Sequence, residues 1–182
     1  MSPRPYRVDV PLRWSDMDAY GHVNNVQFLR LLEDARVIGF QAWFGQERTL
    51  LKEGVVVARH EIEYLAPLDF RHAPISVDMW ATKISGSSFN LAYEVCDPAG
   101  VGTTLYARAE TTVVAYDFVT ASPRRLREDE RAVLKGVSGD PVPFRWRERP
   151  RAGSGPGACT AEHHQRGDGR QGQPDELEHV DV

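Results

Sequence analysis

Cysteine is nearly missing: Cys96 and Cys159 are the only two in 182 residues, too few for a disulfide framework or a cysteine-rich zinc site. A basic excess is missing too. Lysine and arginine number 22 against 26 aspartate and glutamate, a formal charge of -4, which argues against a general nucleic-acid binder. No apolar run nears the roughly 18 residues a membrane span needs, and Val55-Val56-Val57-Ala58 is typical. The opening MSPRPYRVDV lacks the apolar stretch of a secretory signal. The expectation is a soluble, cytoplasmic protein with no nucleic-acid or membrane partner. Its length suits one ordinary domain.

Aromatic residues stop abruptly. From Arg147 to Val182 there are none, with Leu177, Val180 and Val182 the only sizeable aliphatics among six glycines and three prolines. Such a segment buries too little apolar surface to offset the entropy of ordering it. The folded unit is therefore expected at residues 5–146, with a disordered tail at 147–182. Cys159 falls in that tail, read as an exposed thiol without a role. His163, His164 and His179 fall there too, and give at most a weak metal signal.

What the first part does contain is periodic. Tyr6, Val8, Val10, Leu12 and Trp14 alternate with polar neighbours and predict a strand with one wet face. A turn-like stretch, Ser15 to His22, follows. After Asn24-Asn25 the pattern becomes helical for about 20 residues, ending before Gly45. Phe28, Leu31, Leu32, Ala35, Ile38 and Ala42 form its stripe, which Leu29, Val37, Phe40 and Trp43 widen. So apolar a helix is expected to be nearly surrounded by protein. Strands are expected at Val55–Leu65, Ile75–Ile84, from Phe89 to Val95, and at Thr103–Phe118. Ser122-Pro123 predicts the cap and first turn of a short helix running through Val133 and Leu134. This order predicts an α+β fold, an antiparallel sheet wrapped around one long central helix.

The string Asp16-Met17-Asp18-Ala19-Tyr20-Gly21-His22-Val23-Asn24-Asn25 lies between the first strand and the long helix, and Phe28, Glu33 and Arg36 follow it. It resembles the hotdog-fold acyl-CoA thioesterases, most closely the 4-hydroxybenzoyl-CoA thioesterase branch. Glu63-Tyr64-Leu65-Ala66-Pro67-Leu68 is similar to that family's second-strand ending, and the resemblance covers roughly residues 6–135. It implies a hotdog fold, hydrolysis of an acyl-CoA thioester, and a homodimer or homotetramer with sites at subunit interfaces. Asp18 is implied as the catalytic carboxylate, with His22 and Asn25 beside it. Tyr20, Gly21 and Asn24 are implied substrate contacts. Lys83, Ser87 and Ser88 match the region that touches the nucleotide of coenzyme A. This chain has Gly86-Ser87-Ser88 where relatives often carry Arg or Lys, so Arg59, Arg71 or Arg108 of a neighbouring subunit are alternatives.

The chemistry can also be read from the residues. A thioester hydrolase needs a nucleophile or general base and a donor for the developing oxyanion. The first N–H groups of a helix lack intrahelical partners and carry the positive end of its dipole. The backbone N–H of Asn25 is the family-matched donor, and no step requires a metal or an organic cofactor. Plainer readings stand beside these. Asp18 is also a natural turn residue, Asn24 and Asn25 natural caps, and His22 a possible fastener of the loop to a neighbouring strand. Asp16 reads as a turn or capping residue. Glu33 and Arg36 have the i,i+3 spacing of a surface ion pair. His60, grouped by period 2 with Val56, Ala58, Ile62 and Tyr64, reads as a hydrogen-bonded core residue. Two rival functions stay open: an enoyl-thioester hydratase on the same fold, and a non-catalytic acyl-thioester binding module. Trp80 and Ile84 oppose Met79 and Ala81 across the third strand, so apolar groups on both faces predict cover by a second copy.

Overall fold

Alternation carries the first strand only as far as Val10. The computed structural model describes residues 5–45 and 53–147, and the expected tail, with Cys159 and its three histidines, lies outside the described residues from 148 onward. Strand β1 is Tyr6–Val10. Leu12 and Trp14 do not continue it, because the Asp16 carboxylate accepts the Arg13 N–H at 2.7 Å and draws Trp14–Asp16 into a single 3-10 turn. Trp14 is consequently 75% exposed.

Helix α1 spans Asn25–Phe44 and stops at Gly45, whose φ of 81° suits a residue without Cβ and whose N–H returns to the Gln41 carbonyl. Strands β2 (Glu53–Tyr64), β3 (Ile75–Ile84), β4 (Ser88–Cys96) and β5 (Leu105–Asp117) follow, all antiparallel to their sheet neighbours. The sheet order is β1-β3-β4-β5-β2, so β1 and β2 form the two edges. Phe28, Leu31, Leu32 and Ala35 of α1 pack on Val77, Met79, Leu91, Tyr93, Val95 and the alanines of β5 in one continuous core. Gly39 lets the helix come close, since a Cβ there would lie 2.6 Å from the Met79 sulfur.

Ser122-Pro123 is not a helix start. It forms strand β6, paired with Tyr116 and Asp117 of β5 across a turn whose Val119 and Thr120 N–H groups are held by the Asp117 carboxylate. Helix α2 begins later, at Glu128–Gly136, where the Glu130 side chain caps the Arg127 N–H. A proline in the first turn and a proline in an edge strand give the same sequence signal.

The described sheet has three register slips, two of which overturn the expected facing of side chains. In β2 the register slips between Val57 and Arg59, so Ala58 is an extra residue. Val55 and Val57, not Val56 and Ala58, therefore share the helix side with His60, Ile62 and Tyr64. In β3 a slip between Ala81 and Ile84 places Ile84 opposite Phe89, on the core side rather than beside Trp80.

The outer face also differs from expectation. Its apolar side chains, Trp80 and Ala92, are covered by the chain's own Val142 and Phe144. Trp80 donates to the Asp140 carbonyl at 2.8 Å, and Arg147 reaches Glu61 and Glu110 at 2.9 and 3.0 Å. Apolar groups on both faces of β3 are thus no argument for a second copy. Nor is α1 surrounded: Val26, Val37 and Ile38 are exposed. Phe144 has no exposed surface, so Phe144→Ala is expected to lower the unfolding free energy by about 3 kcal/mol or more, measurable by urea denaturation.

Candidate active site

The loop from Arg13 to Asn24 is shaped by two aspartates with different tasks. Asp16 is buried and accepts Arg30 Nη2 of α1 at 2.6 Å, tying the loop to the helix it precedes. Arg30 also holds Asp34 at 2.6 Å, one turn further on. The turn-or-cap reading of Asp16 is what the geometry shows. Asp18 instead caps the turn it starts: its Oδ1 accepts the Tyr20 N–H at 2.8 Å and the His22 N–H at 3.3 Å. Its Oδ2 makes no hydrogen bond among the described residues. Gly21 adopts a φ of 82°, which lets the chain reverse so that the Asp18 N–H meets the His22 carbonyl at 2.8 Å.

At the mouth of α1, Asn24 is the N-cap. Its side chain accepts the Val26 N–H at 3.0 Å and its carbonyl accepts the Gln27 N–H at 2.8 Å. Two of the helix's first N–H groups are therefore occupied. The Asn25 N–H makes no hydrogen bond among the described residues, and it sits where the helix dipole is positive. The Tyr64 hydroxyl, whose acidity burial weakens, donates to the Asn25 carbonyl at 2.9 Å. Its ring meets Phe28 edge-on.

Asp18, His22 and Asn25 line one open cleft of about 520 Å³, together with Val23, Phe28, Tyr64 and the Leu65–Leu68 stretch. The structure brings these three expected residues together. Tyr20 is 85% exposed, and it, Gly21 and Asn24 shape the loop and cap without lining the cleft. Lys83, Ser87 and Ser88 stand at the opposite end of the sheet. Lys83 is near the end of β3, eight residue steps or about 27 Å along the strand from Ile75, and Ser87 and Ser88 lie where the chain turns into β4. The His22 imidazole turns to Asp69 at 3.7 Å, and the Val23 N–H meets the Leu68 carbonyl at 2.7 Å, so this histidine fastens the loop to the cleft wall.

That wall has its own anchor, which the sequence did not reveal. Arg71 pairs with the buried Asp97 at 2.6 Å, and the Tyr106 hydroxyl donates to the same carboxylate at 2.9 Å. The Tyr106 carbonyl in turn takes the Leu65 and Ala66 N–H groups. Tyr64, Arg30 and Asp97 were all missed because each acts through a partner distant in sequence. Only the position of Tyr64 at the end of a period-2 face hinted at a role.

Glu33 and Arg36 form the expected i,i+3 pair, at 3.7 Å. His60 bonds through Nδ1 to Thr111 Oγ1 at 2.9 Å, as expected of a hydrogen-bonded residue, but it is exposed on the edge strand instead of enclosed in the core. Burial and then Arg36 push its pKa down, against a smaller opposite pull from Glu33. Among the described residues no three His, Cys, Asp or Glu side chains are grouped to hold a metal ion. No helix there is long and apolar enough to cross a membrane.

The thioesterase-like superfamily pattern matches residues 12–145, spanning the loop, α1 and the whole sheet beyond β1. The chain belongs to that superfamily. Its fold is the hotdog fold of solved thioesterases. A Thermus thermophilus thioesterase, solved with coenzyme A and zinc, is 28% identical, with 78% of this chain and 100% of that one covered at a TM-score of 0.61. The PA2801 protein of Pseudomonas aeruginosa is 29% identical over 72% of this chain and 98% of that one, with a TM-score of 0.62. A 1,4-dihydroxy-2-naphthoyl-CoA thioesterase from Synechocystis, 20% identical, shares the fold over 72% of this chain and 95% of that one, at a TM-score of 0.60. Among curated proteins none matches the chain in sequence.

The anchor of the cleft wall has a pH signature. Burial alone would raise the pKa of Asp97, but the Thr104 N–H, Arg71 and the Tyr106 hydroxyl outweigh it and bring the carboxyl to about 2, from 3.8. A depressed carboxylate pKa stabilises the fold above the unfolded value, and that stability is lost as pH falls through the folded one. Resistance to urea is expected to fall steadily in the parent as pH drops from about 4 to about 2. Asp97→Asn should be less stable at neutral pH and less pH-dependent in that window. Equal acid sensitivity in both chains would remove Asp97 from this role.

Proposed function

We propose that the chain hydrolyses acyl-CoA thioesters, with Asp18 as the reacting carboxylate and the Asn25 N–H as oxyanion donor. One observation carries the reading. A carboxylate with one oxygen fixed by turn amides, and a helix-start N–H without a partner among the described residues, border the same cleft. Tyr64 and the Leu65–Leu68 stretch supply an apolar side against which a thioester can lie. Polarisation of the carbonyl by a fixed donor at a helix N-terminus lowers the barrier to attack without reorganisation during the reaction.

Two routes use these groups. Asp18 Oδ2 removes a proton from water as its oxygen attacks the carbonyl carbon; the carbon–sulfur bond then breaks and the thiolate leaves, taking up a proton. Alternatively Oδ2 itself attacks and expels the thiolate, and water hydrolyses the resulting mixed anhydride to the acid and free Asp18. Single turnover in ¹⁸O-water can identify the second, because a solvent oxygen enters Asp18 only when water cleaves the anhydride at the Asp18 carbon. The hydratase alternative needs an Asp/His pair with other spacing on a longer loop, whereas the carboxylate at this cleft, Asp18, is not the one the His22 ring faces. The binding-module alternative draws on the turn bonds at Asp18 Oδ1, and it requires binding without thiol release.

Asp18→Asn preserves an acceptor for Tyr20 and His22 but removes the charge. Thiol release is expected to fall about 10²-fold or more, with little change in melting temperature. If Asp18→Asn stays active while Glu33→Gln is dead, the reacting carboxylate belongs on α1.

The reading includes a homodimer. Strand β2 is a 12-residue edge, and Val37 of α1 with Val57 and Tyr64 of β2 are exposed beside it. Long edges with apolar neighbours are templates for pairing. A two-fold, antiparallel β2–β2 contact would bring the partner's far sheet end toward this cleft. That arrangement gives Lys83, Ser87 and Ser88 a route to the nucleotide of coenzyme A, which a single chain does not offer. Light scattering at micromolar concentration should show a dimer or a multiple of it. A monomer would sink both the contact and the shared site.

A further inference from the structure

A second cavity, of about 450 Å³, borders the same helix and strand as the cleft. The cleft is bordered by Asn25 and Phe28 of α1 and Tyr64 of β2, at one end of both elements. The cavity lies toward the other end, walled by Val37, Phe40 and Phe44 of α1, Val55 and Val57 of β2, and Leu126. The bulge at Ala58 is what puts Val55 and Val57 on this side. Its charged wall residues come as two ion pairs. Glu33 meets Arg36 at 3.7 Å, and Glu130 holds Arg124 through two bonds of 2.7 and 2.8 Å. Each cation has a carboxylate of its own, so the cavity presents no unbalanced charge to a ligand. Its size falls within the usual range for small-molecule pockets, and its apolar walls suit hydrocarbon.

Distance along the helix then sets the ligand. Glu33 is eight residues beyond Asn25 and Val37 twelve, which at the helical rise is about 12 and about 18 Å. An extended chain advances about 1.2 Å per bond, as the 3.3–3.6 Å span of a three-bond residue implies. A chain starting at a carbonyl beside Asn25 therefore needs about ten bonds to reach the cavity and about fifteen to lie beside Val37. His60 stands between the two sites on the same side of β2, and partial desolvation together with Arg36 lowers its pKa. We propose that this cavity receives the far end of a long, uncharged acyl chain whose thioester sits at the N-terminus of α1. The proposal rests on the thioesterase reading and adds its substrate class: alkyl chains of about ten carbons or more, in preference to short or single-ring acyl groups.

The experiment has two arms on the full chain. One measures kcat/KM for thiol release from butyryl-, benzoyl- and hexadecanoyl-CoA. The other measures binding of a fluorescent hexadecanoic-acid analogue, which needs no turnover. Each is run on the parent and on Val57→Trp and Val37→Trp, half-exposed positions where a larger ring can enter the cavity; because both also border the proposed β2 contact, light scattering checks that each variant keeps the parent's assembly. The parent should favour hexadecanoyl over butyryl by about tenfold or more, and each variant should cut that ratio and the affinity for the analogue by about tenfold. A parent that prefers butyryl- or benzoyl-CoA overturns the proposal. So do variants that slow all three thioesters equally, or analogue binding that neither variant weakens. Analogue binding lost in the variants, with no thioester cleaved by any chain, supports the cavity assignment and sinks the hydrolase reading alone.

Discussion

The arrangement of the cleft depends on a carboxylate that does not line it. Asp16 is buried between the loop and α1, and it accepts both the Arg13 N–H and the Arg30 guanidinium. A buried ion pair adds little net stability, yet losing one partner is severe because the other charge is left uncompensated. The pair therefore acts as a register pin. It fixes how far the loop stands from the first turn of α1, and so where Asp18 lies relative to Asn25. The Asp16 carbonyl strengthens the pin by accepting the Asn24 N–H at 2.8 Å. Asn24 then takes the Val26 and Gln27 N–H groups and leaves the Asn25 N–H without a partner among the described residues.

The fold was legible wherever one period ran uninterrupted. Helix α1 and strand β4 follow directly from their repeats, as does β3 up to Ala81, and Gly45 marks the helix end as its φ requires. The reading failed where one extra residue reverses a face. Ala58 looks like any other member of Val55–Ala58, and nothing local marks it as the bulge that turns Val55 and Val57, instead of Val56 and Ala58, toward the helix. Ser122-Pro123 failed for a related reason: its structure is set by the Asp117 turn and the edge of β5, not by its own residues. The covering of Trp80 by Val142 and Phe144 is tertiary throughout. Two aromatics near a polar, glycine-rich stretch do not say which face they will lie on.

The candidate site was legible in part because its residues are nearly consecutive. A turn and a helix start can be read from a dozen residues, since both are local structures with strong residue preferences. What surrounds them is not local. Tyr64 arrives from 39 residues away to bond the Asn25 carbonyl, and the wall at Leu65–Leu68 keeps its place through Arg71, Asp97 and Tyr106. The string thus names the groups at the cleft, while the groups that hold the cleft open are found only in three dimensions.

The exposed apolar residues sharpen the contrast between the two faces of the sheet. The outer face has no unmet need, for the chain folds its own Phe144 over Trp80 and fixes it with Arg147 on Glu61 and Glu110. The other side is different. Val26 and Val37 stand eleven residues apart on α1, about three helical turns, and so share one face of it. Val57 and Tyr64 are exposed on β2, at an edge with unpaired backbone groups. Water satisfies that edge but not the valines, whereas a second copy laid along β2 would satisfy both. The same contact would also set the partner's Lys83 turn against a cleft lined by no lysine or arginine among the described residues. A second copy, as proposed above, would cover the apolar stripe on α1 and the edge of β2 with one surface.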